Sequence, residues 1–463
     1  SKNQANAHPM TETPLLNKSC IYSIPSGAYF GRPDDAVCIV YAPLADSALI
    51  ATPDNIRMME QFLEGSTAVT DETIVQTMEA LLDHEPLEKL VPRRESPETF
   101  FRLPVLPNSI CNFACSYCYS AKGRNGRVLE KDQLKTALEV FIDPARISRK
   151  ELVISFLGGG EPMLSWDLVK YGIEYASELA EKGGFTIDFS LVTNGSLIND
   201  EQLTLLKKHD VMVSVSYEIL EEIQNLQRKN YGLVAGNLQR LLEAGINTRI
   251  RSTITTANVK LMTRMVEEVA LKYRPVNNLM MEAVTDDGSF TDTDQLRAFY
   301  DDYTENFFAA MEAGEKHGIH VECSASRNIN LLIERFCPGE FSLTPSGEIS
   351  ICTRISAPQD PGYAESIFGR IENGEMKIDR EKYQWLLNDD VFRKEKCGSC
   401  FARFHCGGGC QAQQYIYSTE VQEVICDYTR NFVRRVLLDR LEKQYAEYYG
   451  TSLKDAVAAN PAI

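Results

Sequence analysis

The sequence predicts an α/β protein with a partial barrel at its centre, a small module before the barrel and a cysteine-rich domain after it. Three observations lead to this prediction. β-rich runs alternate with helical runs from about residue 100 to residue 320. A hairpin-like region with two helical patterns precedes this alternation, and cysteines concentrate after it. The length of 463 residues also exceeds one ordinary core and indicates two to four domains.

The predicted barrel consists of β-rich runs separated by amphipathic helical patterns such as "WDLVKYGIEYASELAEKG". Such alternation indicates parallel strands with right-handed crossovers, and therefore a partial (β/α)6 TIM-like barrel. In these folds the loops after the strands build the active site. The six predicted strands span 101–106, 152–158, 186–194, 211–217, 248–256 and 279–284.

The N-terminal module has short strands around "AVCIVYAPLADSALIAT", followed by helical patterns at "PDNIRMMEQFLEG" and "TDETIVQTMEALLDH". This order predicts a winged-helix-like module, with a dimerisation module as the alternative. "VPRRESPETF" reads as a linker. The predicted domains are a flexible tail (1–20), the N-terminal module (21–95), the barrel (96–322), the cysteine-rich region (323–430) and a C-terminal helix (431–463).

Composition and charge exclude several functional classes. The apolar fraction of 44% and charged fraction of 24% are those of a soluble globular protein, and no segment predicts a membrane span or secretory signal. A net charge of −17 argues against a nucleic-acid partner. Thirteen cysteines without a secretory signal favour metal or cluster ligation over disulfides. We therefore expect a cytoplasmic protein, with Cys20 and Cys38 unliganded.

Three cysteines at Cys111, Cys115 and Cys118 follow the first predicted barrel strand, in "SICNFACSYCYS". Short spacings of this kind let one loop present thiolates to an iron–sulfur cluster. A zinc site lacks a fourth Cys or His nearby, since the next downstream His is His209. The segments "GGGEP" and "TNG" also follow predicted strands. All three should meet at one rim of the barrel.

The CxxxCxxC spacing, followed by an aromatic residue and the "GGGEP" turn, resembles the radical S-adenosylmethionine (SAM) superfamily. The resemblance implies that the three cysteines bind a 4Fe–4S cluster whose fourth iron is chelated by SAM. It also implies that electron transfer cleaves SAM to a 5′-deoxyadenosyl radical, which abstracts hydrogen from the substrate. The residues that this resemblance places around SAM are Tyr117, Tyr119, Gly159, Gly160, Glu161, Thr193 and Asn194.

One segment departs from the family pattern. Related maturases carry an "SLDGP"-like sequence after the fourth strand, where this chain has "SVSYEILEEIQNLQRKNY". Ser216 aligns with that serine, and Arg228 lies at the spacing of an arginine that helps to hold the SAM carboxylate. Glu218 stands in place of the aspartate, so a role copied from that aspartate is in doubt.

A second cysteine pattern lies near the C-terminus. "SLTPSGEISIC" predicts a hairpin with glycine at the turn, which would bring two cysteines together. The pattern resembles the seven-cysteine SPASM domain of radical SAM enzymes that modify peptides and proteins, which implies two auxiliary 4Fe–4S clusters and three clusters in all. The resemblance assigns Cys337, Cys352 and Cys410 to the first auxiliary cluster, and Cys397, Cys400, Cys406 and Cys426 to the second.

Two alternatives stay open at this stage. Cys397, Cys400 and Cys406 with Cys410 or His405 could form a structural zinc site. The first auxiliary cluster has three assigned thiolates, so Cys323 could supply a fourth, or the site could be open to substrate.

The combined resemblances imply a maturase that modifies a ribosomally made precursor peptide. Its N-terminal module would bind the leader by strand addition, an oxidative cross-link would be the product, and a flavodoxin or ferredoxin would supply electrons. An anaerobic sulfatase-maturating, formylglycine-generating enzyme is the first alternative, and a non-catalytic iron–sulfur protein the second. Glu218 and Glu282 follow predicted strands and are candidate catalytic bases.

Overall fold

The computed structural model describes residues 15–66, 69–93, 99–285 and 288–460. The N-terminal module contains a three-stranded antiparallel sheet in the order β1-β2-β3. β2 is central, and β3 pairs only with β2 among the described strands. Its strands are β1 (Tyr22–Pro25), β2 (Cys38–Ala42) and β3 (Ser47–Ala51), and its helices are α1 (Leu15–Lys18), α2 (Pro53–Leu63), α3 (Glu72–Leu82) and α4 (Leu87–Leu90).

The central sheet has 11 strands in the order β10-β9-β8-β7-β6-β5-β4-β11-β12-β13-β14. The strands from β4 to β10 run parallel to their neighbours. Because their loops leave from one end of the sheet, residues that follow different strands can meet there. These strands are β4 (Arg102–Val105), β5 (Glu151–Phe156), β6 (Thr186–Thr193), β7 (Met212–Ser216), β8 (Thr248–Ile254), β9 (Asn278–Ala283) and β10 (His320–Glu322).

Helices connect the parallel strands and cover the sheet. Their ends carry the expected caps: the Asn199 side chain accepts a hydrogen bond from the Gln202 backbone, and Asp292 accepts one from the Gln295 backbone. The connecting helices are α5 (Lys131–Phe141), α6 (Trp166–Gly183), α7 (Asp200–Lys208), α8 (Glu221–Gln227), α9 (Tyr231–Glu243), α10 (Met262–Lys272) and α11 (Thr293–His317).

The C-terminal region extends the same sheet. β11 runs parallel to β4 and forms a hairpin with β12, with Gly347 at φ +76° in the turn. Its elements are α12 (Ser324–Asn328), β11 (Ser342–Leu343), β12 (Glu348–Ser350), α13 (Tyr363–Ser366), β13 (Ile367–Glu372), β14 (Glu375–Ile378), α14 (Arg380–Leu387), α15 (Arg403–Cys406), α16 (Gln411–Ile416), α17 (Thr419–Tyr449) and α18 (Leu453–Ala459).

The N-terminal module packs on the C-terminal helices. Tyr22, Ile24 and Tyr41 share one apolar cluster with Val433 and Leu437 of α17. Cys20 and Cys400 lie at the edge of this cluster, and the Arg403 guanidinium donates to the Cys20 sulfur at 3.2 Å. The N-terminal module and α17 therefore share one apolar core, which lies next to part of the cysteine-rich region.

The six predicted barrel strands are all present, and α6 has the predicted bounds. The structure adds β10 as a seventh parallel strand, and the predicted hairpin at Gly347 is confirmed. The sheet is open, because β10 and β14 are its edges in the described chain. The predicted order of strands followed by helices in the N-terminal module is also observed, whereas its winged-helix character stays a prediction.

Two predicted boundaries were wrong. The predicted tail (1–20) includes α1, because Leu16 is buried in the core of the N-terminal module. The C-terminal helix begins at Thr419 rather than Asn431, capped by the Ser418 side chain. Residues 1–14 of the predicted tail and 94–98 of the predicted linker lie outside the described residues. Within the described ranges, no helix has the length and apolar character that crossing a bilayer requires.

Candidate active site

A cavity of about 300 Å³ opens at the carboxyl ends of the parallel strands. It is lined by the loop after β4 and by the ends of β5 to β9. The structure therefore brings together most of the predicted site residues. Those that line the cavity are Cys111, Cys115, Tyr117, Cys118, Tyr119, Gly159, Gly160, Glu161, Thr193, Asn194, Ser216, Arg228 and Glu282.

The loop after β4 presents three thiols beside two arginines. One guanidinium nitrogen of Arg124 lies 3.3 Å from the Cys118 sulfur, and one of Arg228 lies 3.5 Å from the Cys115 sulfur. Burial raises the pKa of the Cys115 thiol, and the positive charge of Arg228 opposes that rise. Both arginines would favour thiolates, and therefore a negatively charged group bound by the loop.

The glycine turn after β5 packs against this cysteine loop. A Cβ on Gly160 would lie 2.0 Å from the Ile110 carbonyl oxygen, and one on Gly159 would lie 2.8 Å from the Asn108 carbonyl oxygen. Gly159 also has φ +67°, in the left-handed region. The family resemblance places both glycines around SAM, and the structure also packs them closely against the cysteine loop.

Glu161 connects the glycine turn to the end of β6. Its carboxylate accepts hydrogen bonds from the Thr193 hydroxyl (2.7 Å), the Asn194 backbone (2.7 Å) and the Met163 backbone (3.0 Å). Burial raises its pKa, although these donors favour the charged form. The Asn194 side chain in turn donates to the Asn112 side chain at 2.9 Å. Glu161 therefore fixes the "TNG" segment beside the cysteine loop.

Glu218 is fully buried and does not line the cavity. Its carboxylate forms an ion pair with Arg228 at 2.8 Å and accepts hydrogen bonds from the Ser252 hydroxyl (2.6 Å), the Thr253 backbone (3.1 Å) and the Tyr117 hydroxyl. A base needs access to a substrate proton, and these donors occupy both oxygens. The structure therefore argues against Glu218 as the catalytic base and makes it the anchor of Arg228.

Glu282 and Arg251 form the charged wall of the cavity. One Glu282 oxygen accepts from the Ser324 backbone and hydroxyl, both at 2.9 Å. The Arg251 side chain is influenced by the Glu282 charge, although in the described part of the chain it forms no hydrogen bond or close ion pair. Of the two predicted bases, only Glu282 faces the cavity. Tyr119 lies on another side, with the Arg354 guanidinium 5.1 Å from its ring centre.

The C-terminal cysteines form the two predicted groups. Cys337, Cys352 and Cys410 line one small pocket. Burial raises the pKa of the Cys352 thiol to about 12, and the charges of Cys410 and Cys337 add to the rise. In the second group, burial raises the pKa of Cys406 to about 12, with contributions from the remaining members Cys400, Cys426 and Cys397. Binding of a metal group to Cys352 and Cys406 must therefore release protons.

The zinc alternative does not fit the C-terminal cysteines. Both ring nitrogens of His405 have other partners: Nδ1 donates to the Leu331 carbonyl oxygen at 2.9 Å, and Nε2 forms a hydrogen bond with the Tyr41 hydroxyl. The ring is therefore not free to bind zinc. In the described ranges, no group of three His, Cys, Asp or Glu side chains could hold a single metal ion. Cys323 is buried near Glu282 and Tyr303, and it is not among the residues that line the pocket of Cys337, Cys352 and Cys410. Its role as a fourth ligand stays a prediction.

A positively charged side chain lies near each of the three cysteine groups, which fits the negative charge of a thiolate-bound iron–sulfur cluster. Arg124 and Arg228 lie beside the first group, and the Lys396 ammonium lies 3.6 Å from the Cys426 sulfur in the last. In the pocket of Cys337, the Nε and Nη1 atoms of the buried Arg335 have no hydrogen-bond partner among the described residues. Cationic donors of this kind suit thiolate-bound anionic groups.

Sequence reasoning missed several residues that organise the site. Arg251, Ser252 and Thr253 belong to one strand, β8, in which buried and more exposed positions alternate. Three successive polar residues near a strand end were a usable signal. Arg124 and Arg335 gave no comparable signal, because isolated arginines next to cysteines are common and their direction depends on the tertiary fold.

We expect the substitution Gly160→Ala to lower the free energy of unfolding by about 1–3 kcal/mol, because the new Cβ overlaps the Ile110 carbonyl. Urea denaturation of the full chain measures this change. Gly236→Ala is the matched control: it lies in helix α9 with nothing within 4 Å, and should add about 0.5–1 kcal/mol. Equal stabilities for the two variants would contradict the packing described here.

We expect Glu218→Gln and Arg228→Gln each to cost about 3–5 kcal/mol of stability, because each leaves its partner buried and unpaired. The double variant should cost clearly less than the sum, as a double-mutant cycle of unfolding free energies would show. The exposed pair Arg264–Glu222 is the control, with an expected coupling below about 1 kcal/mol. Additive costs at Glu218 and Arg228 would rule out the anchoring role.

Residues 105–270 match the family model of the Radical SAM superfamily. The radical SAM cyclopropyl synthase TigE of Paramaledivibacter caminithermalis is 24% identical over 395 residues, which cover 78% of each chain. A serine-type anaerobic sulfatase-maturating enzyme of Klebsiella aerogenes is 22% identical over 341 residues, covering 69% of this chain and 81% of the relative.

The fold is similar to a solved structure, native anSMEcpe with bound AdoMet. The TM-score is 0.59 at 17% sequence identity, and the match covers 73% of this chain and 98% of that one. Family members use SAM and a 4Fe–4S cluster, as the cysteine loop and its cavity had suggested. Residues 105–270 therefore match the radical SAM superfamily, and the chain as a whole is similar to a radical SAM cyclopropyl synthase and to anaerobic sulfatase-maturating enzymes.

Proposed function

We propose that this protein is a peptide maturase that abstracts hydrogen from a ribosomally made precursor and installs an oxidative cross-link. The observation that carries the choice of a peptide substrate is a groove of about 690 Å³ beside the edge strand β3. This groove lies outside the radical SAM domain, so it offers a second binding surface for one extended substrate. The groove would bind one part of the substrate, and the strand-end cavity would receive the part that is modified.

In this proposal the strand-end cavity holds SAM and the cluster of Cys111, Cys115 and Cys118. When bound, they supply the 5′-deoxyadenosyl radical. Arg228 would hold the SAM carboxylate together with Ser216, since its guanidinium is fixed by Glu218 and still reaches the cavity. The other residues proposed to contact SAM are Tyr117, Tyr119, Gly159, Gly160, Glu161, Thr193 and Asn194.

We further propose two auxiliary 4Fe–4S clusters. The first would be bound by Cys337, Cys352 and Cys410, and the second by Cys397, Cys400, Cys406 and Cys426. The clustering of these thiols into two buried groups supports the assignment. Such cofactors require a reducing cytoplasm and an external one-electron donor of the flavodoxin or ferredoxin class.

The groove beside β3 suits the leader segment of a precursor. One side is the edge strand, whose second backbone edge pairs with no described strand and can accept an added strand. The other side consists of α17 and α18, with the side chains of Tyr445, Tyr448 and Tyr449. Tyr448 is 82% exposed, which is unusual for an aromatic side chain unless a partner covers it.

Closing a cross-link requires the loss of one electron and one proton from the substrate radical. The proposed base is Glu282, because it faces the cavity and one of its oxygens is held by Ser324, which fixes the carboxylate in place. The auxiliary clusters would accept the electron. Two auxiliary clusters that can take up this electron favour a cross-linked product over an epimerised one.

Formylglycine formation is the second candidate function. The observation in its favour is the similarity to serine-type anaerobic sulfatase-maturating enzymes of Klebsiella aerogenes and Bacteroides thetaiotaomicron, at 22% and 30% identity. The match to the second covers 26% of this chain. The segment around Glu218 and the N-terminal groove favour the peptide maturase instead.

We expect the anaerobically purified protein, given SAM and dithionite, to release 5′-deoxyadenosine, because the cysteine loop binds the cluster that reduces SAM. Cys115→Ala should abolish this product while the auxiliary iron stays bound. Liquid chromatography of the nucleoside and colorimetric iron analysis measure the two quantities. Without 5′-deoxyadenosine from the unaltered protein, both enzyme functions fail; complete loss of iron in Cys115→Ala would refute the separation of the clusters.

We expect Tyr448→Ala to weaken binding of the precursor encoded beside this protein by about tenfold, because an aromatic anchor in the groove contributes roughly 1–2 kcal/mol. Fluorescence anisotropy of the labelled leader gives the affinity, and mass spectrometry of the co-expressed peptide gives the product. Leu271→Ala, 70% exposed on helix α10, is the control. Point substitution is preferable to deleting 1–95, since deletion would expose the apolar cluster on α17. Unchanged affinity in Tyr448→Ala would remove the groove from the proposal.

A further inference from the structure

The pocket of Cys337, Cys352 and Cys410 contains a buried arginine, two of whose nitrogen atoms have no hydrogen-bond partner among the described residues. Arg335 is 5% exposed and lines this pocket. Its Nη2 atom donates to the Gln411 side chain at 3.3 Å, whereas Nε and Nη1 have no hydrogen-bond partner among the described residues. No carboxylate in the described ranges forms an ion pair with it. A cation in this state is costly unless another group completes its surroundings.

In the part of the chain that the structure describes, no carboxylate lines this pocket to pair with the arginine. Its polar lining consists of Cys337, Cys352, Cys410, Ser366 and Gln411 besides Arg335 itself. Cysteines become thiolates when they bind a metal group, which displaces their protons. A cluster bound by the three cysteines would therefore supply the negative charge in the pocket that contains Arg335.

We infer that Arg335 is the charge-compensating residue of the first auxiliary cluster, donating its Nε and Nη1 hydrogens to the thiolates or sulfides of that group. This inference rests on the proposed auxiliary site and adds a specific role to it. Three thiolates leave the group negatively charged, and one buried guanidinium offsets part of that charge. Arg335 acts through the cluster, so it is a positioning residue rather than a catalytic one.

Such a cation has a defined effect on electron transfer. Reduction makes a cluster one unit more negative, and a nearby positive charge stabilises the more negative state. Arg335 therefore raises the reduction potential of this site. The site also lies next to the SAM cavity: the Cys352 charge affects Tyr119, and a Cβ on Gly158 would lie 3.8 Å from the Thr353 carbonyl oxygen. A readily reduced group here is well placed to take an electron from a substrate in that cavity.

The test uses the full chain with Cys111, Cys115 and Cys118 all replaced by alanine, so that only auxiliary signals remain. Iron is counted after anaerobic reconstitution, and midpoint potentials come from redox titration followed by electron paramagnetic resonance. We expect Arg335→Gln to shift one of the two auxiliary potentials downward, and Arg335→Lys, which keeps the charge, to shift it less. Arg370→Gln, an exposed arginine paired with Glu372, should shift neither.

The outcomes separate this inference from the proposed cluster. Cys352→Ala should remove about half of the auxiliary iron; if it removes none, the proposed cluster is absent whatever Arg335 does. Iron retained in both Arg335 variants with unchanged potentials would overturn the inference. Equal iron loss in both would also overturn it, since charge would then be irrelevant. Iron loss in Arg335→Gln with retention in Arg335→Lys would support it.

Discussion

The ion pair between Glu218 and Arg228 is the interaction on which the active site depends. It lies where the loop after β7, strand β8 and the cysteine loop meet, through hydrogen bonds from Ser252, Thr253 and Tyr117. A buried pair is unfavourable unless its remaining hydrogen-bonding capacity is satisfied. Here both Glu218 oxygens accept two hydrogen bonds each, and the Nε and Nη1 atoms of Arg228 have partners. The result is a guanidinium with a fixed position that reaches both the cavity and the Cys115 sulfur.

The features of this protein that the sequence predicts are those that depend on local sequence patterns. Strand and helix positions follow from hydrophobic periodicity, and the cysteine groups follow from spacing. The direction in which a carboxylate points does not follow from such local patterns. Glu218 follows β7 and Glu282 lies near the end of β9, yet the first is enclosed by donors and the second faces the cavity. That difference arises from residues such as Ser252 and Ser324, which are distant in sequence and unremarkable by themselves.

The same limit explains one of the two wrong boundaries. Leu16 looks like part of a polar tail until the sheet it packs against is known. The start of α17 was placed too late because Cys426, assigned to a cysteine-rich irregular region, lies inside a continuous helix. A tertiary contact decides the first case, whereas the Ser418 cap was a local signal for the start of α17 that the prediction did not use. The packing of the glycines after β5 on the cysteine loop is another contact between segments distant in sequence.

The shared core of the N-terminal module and α17 has a consequence for folding. Tyr22, Ile24 and Tyr41 are about 400 residues away in sequence from Val433 and Leu437, with which they share one apolar cluster. The contact therefore closes a very long loop, and contacts of such high sequence separation form slowly. Until they form, the module and α17 each expose an apolar face. The cysteine loop and the C-terminal cysteines lie between Tyr41 and Val433 in sequence. We therefore expect the docking of α17 on the module to be a late step of folding.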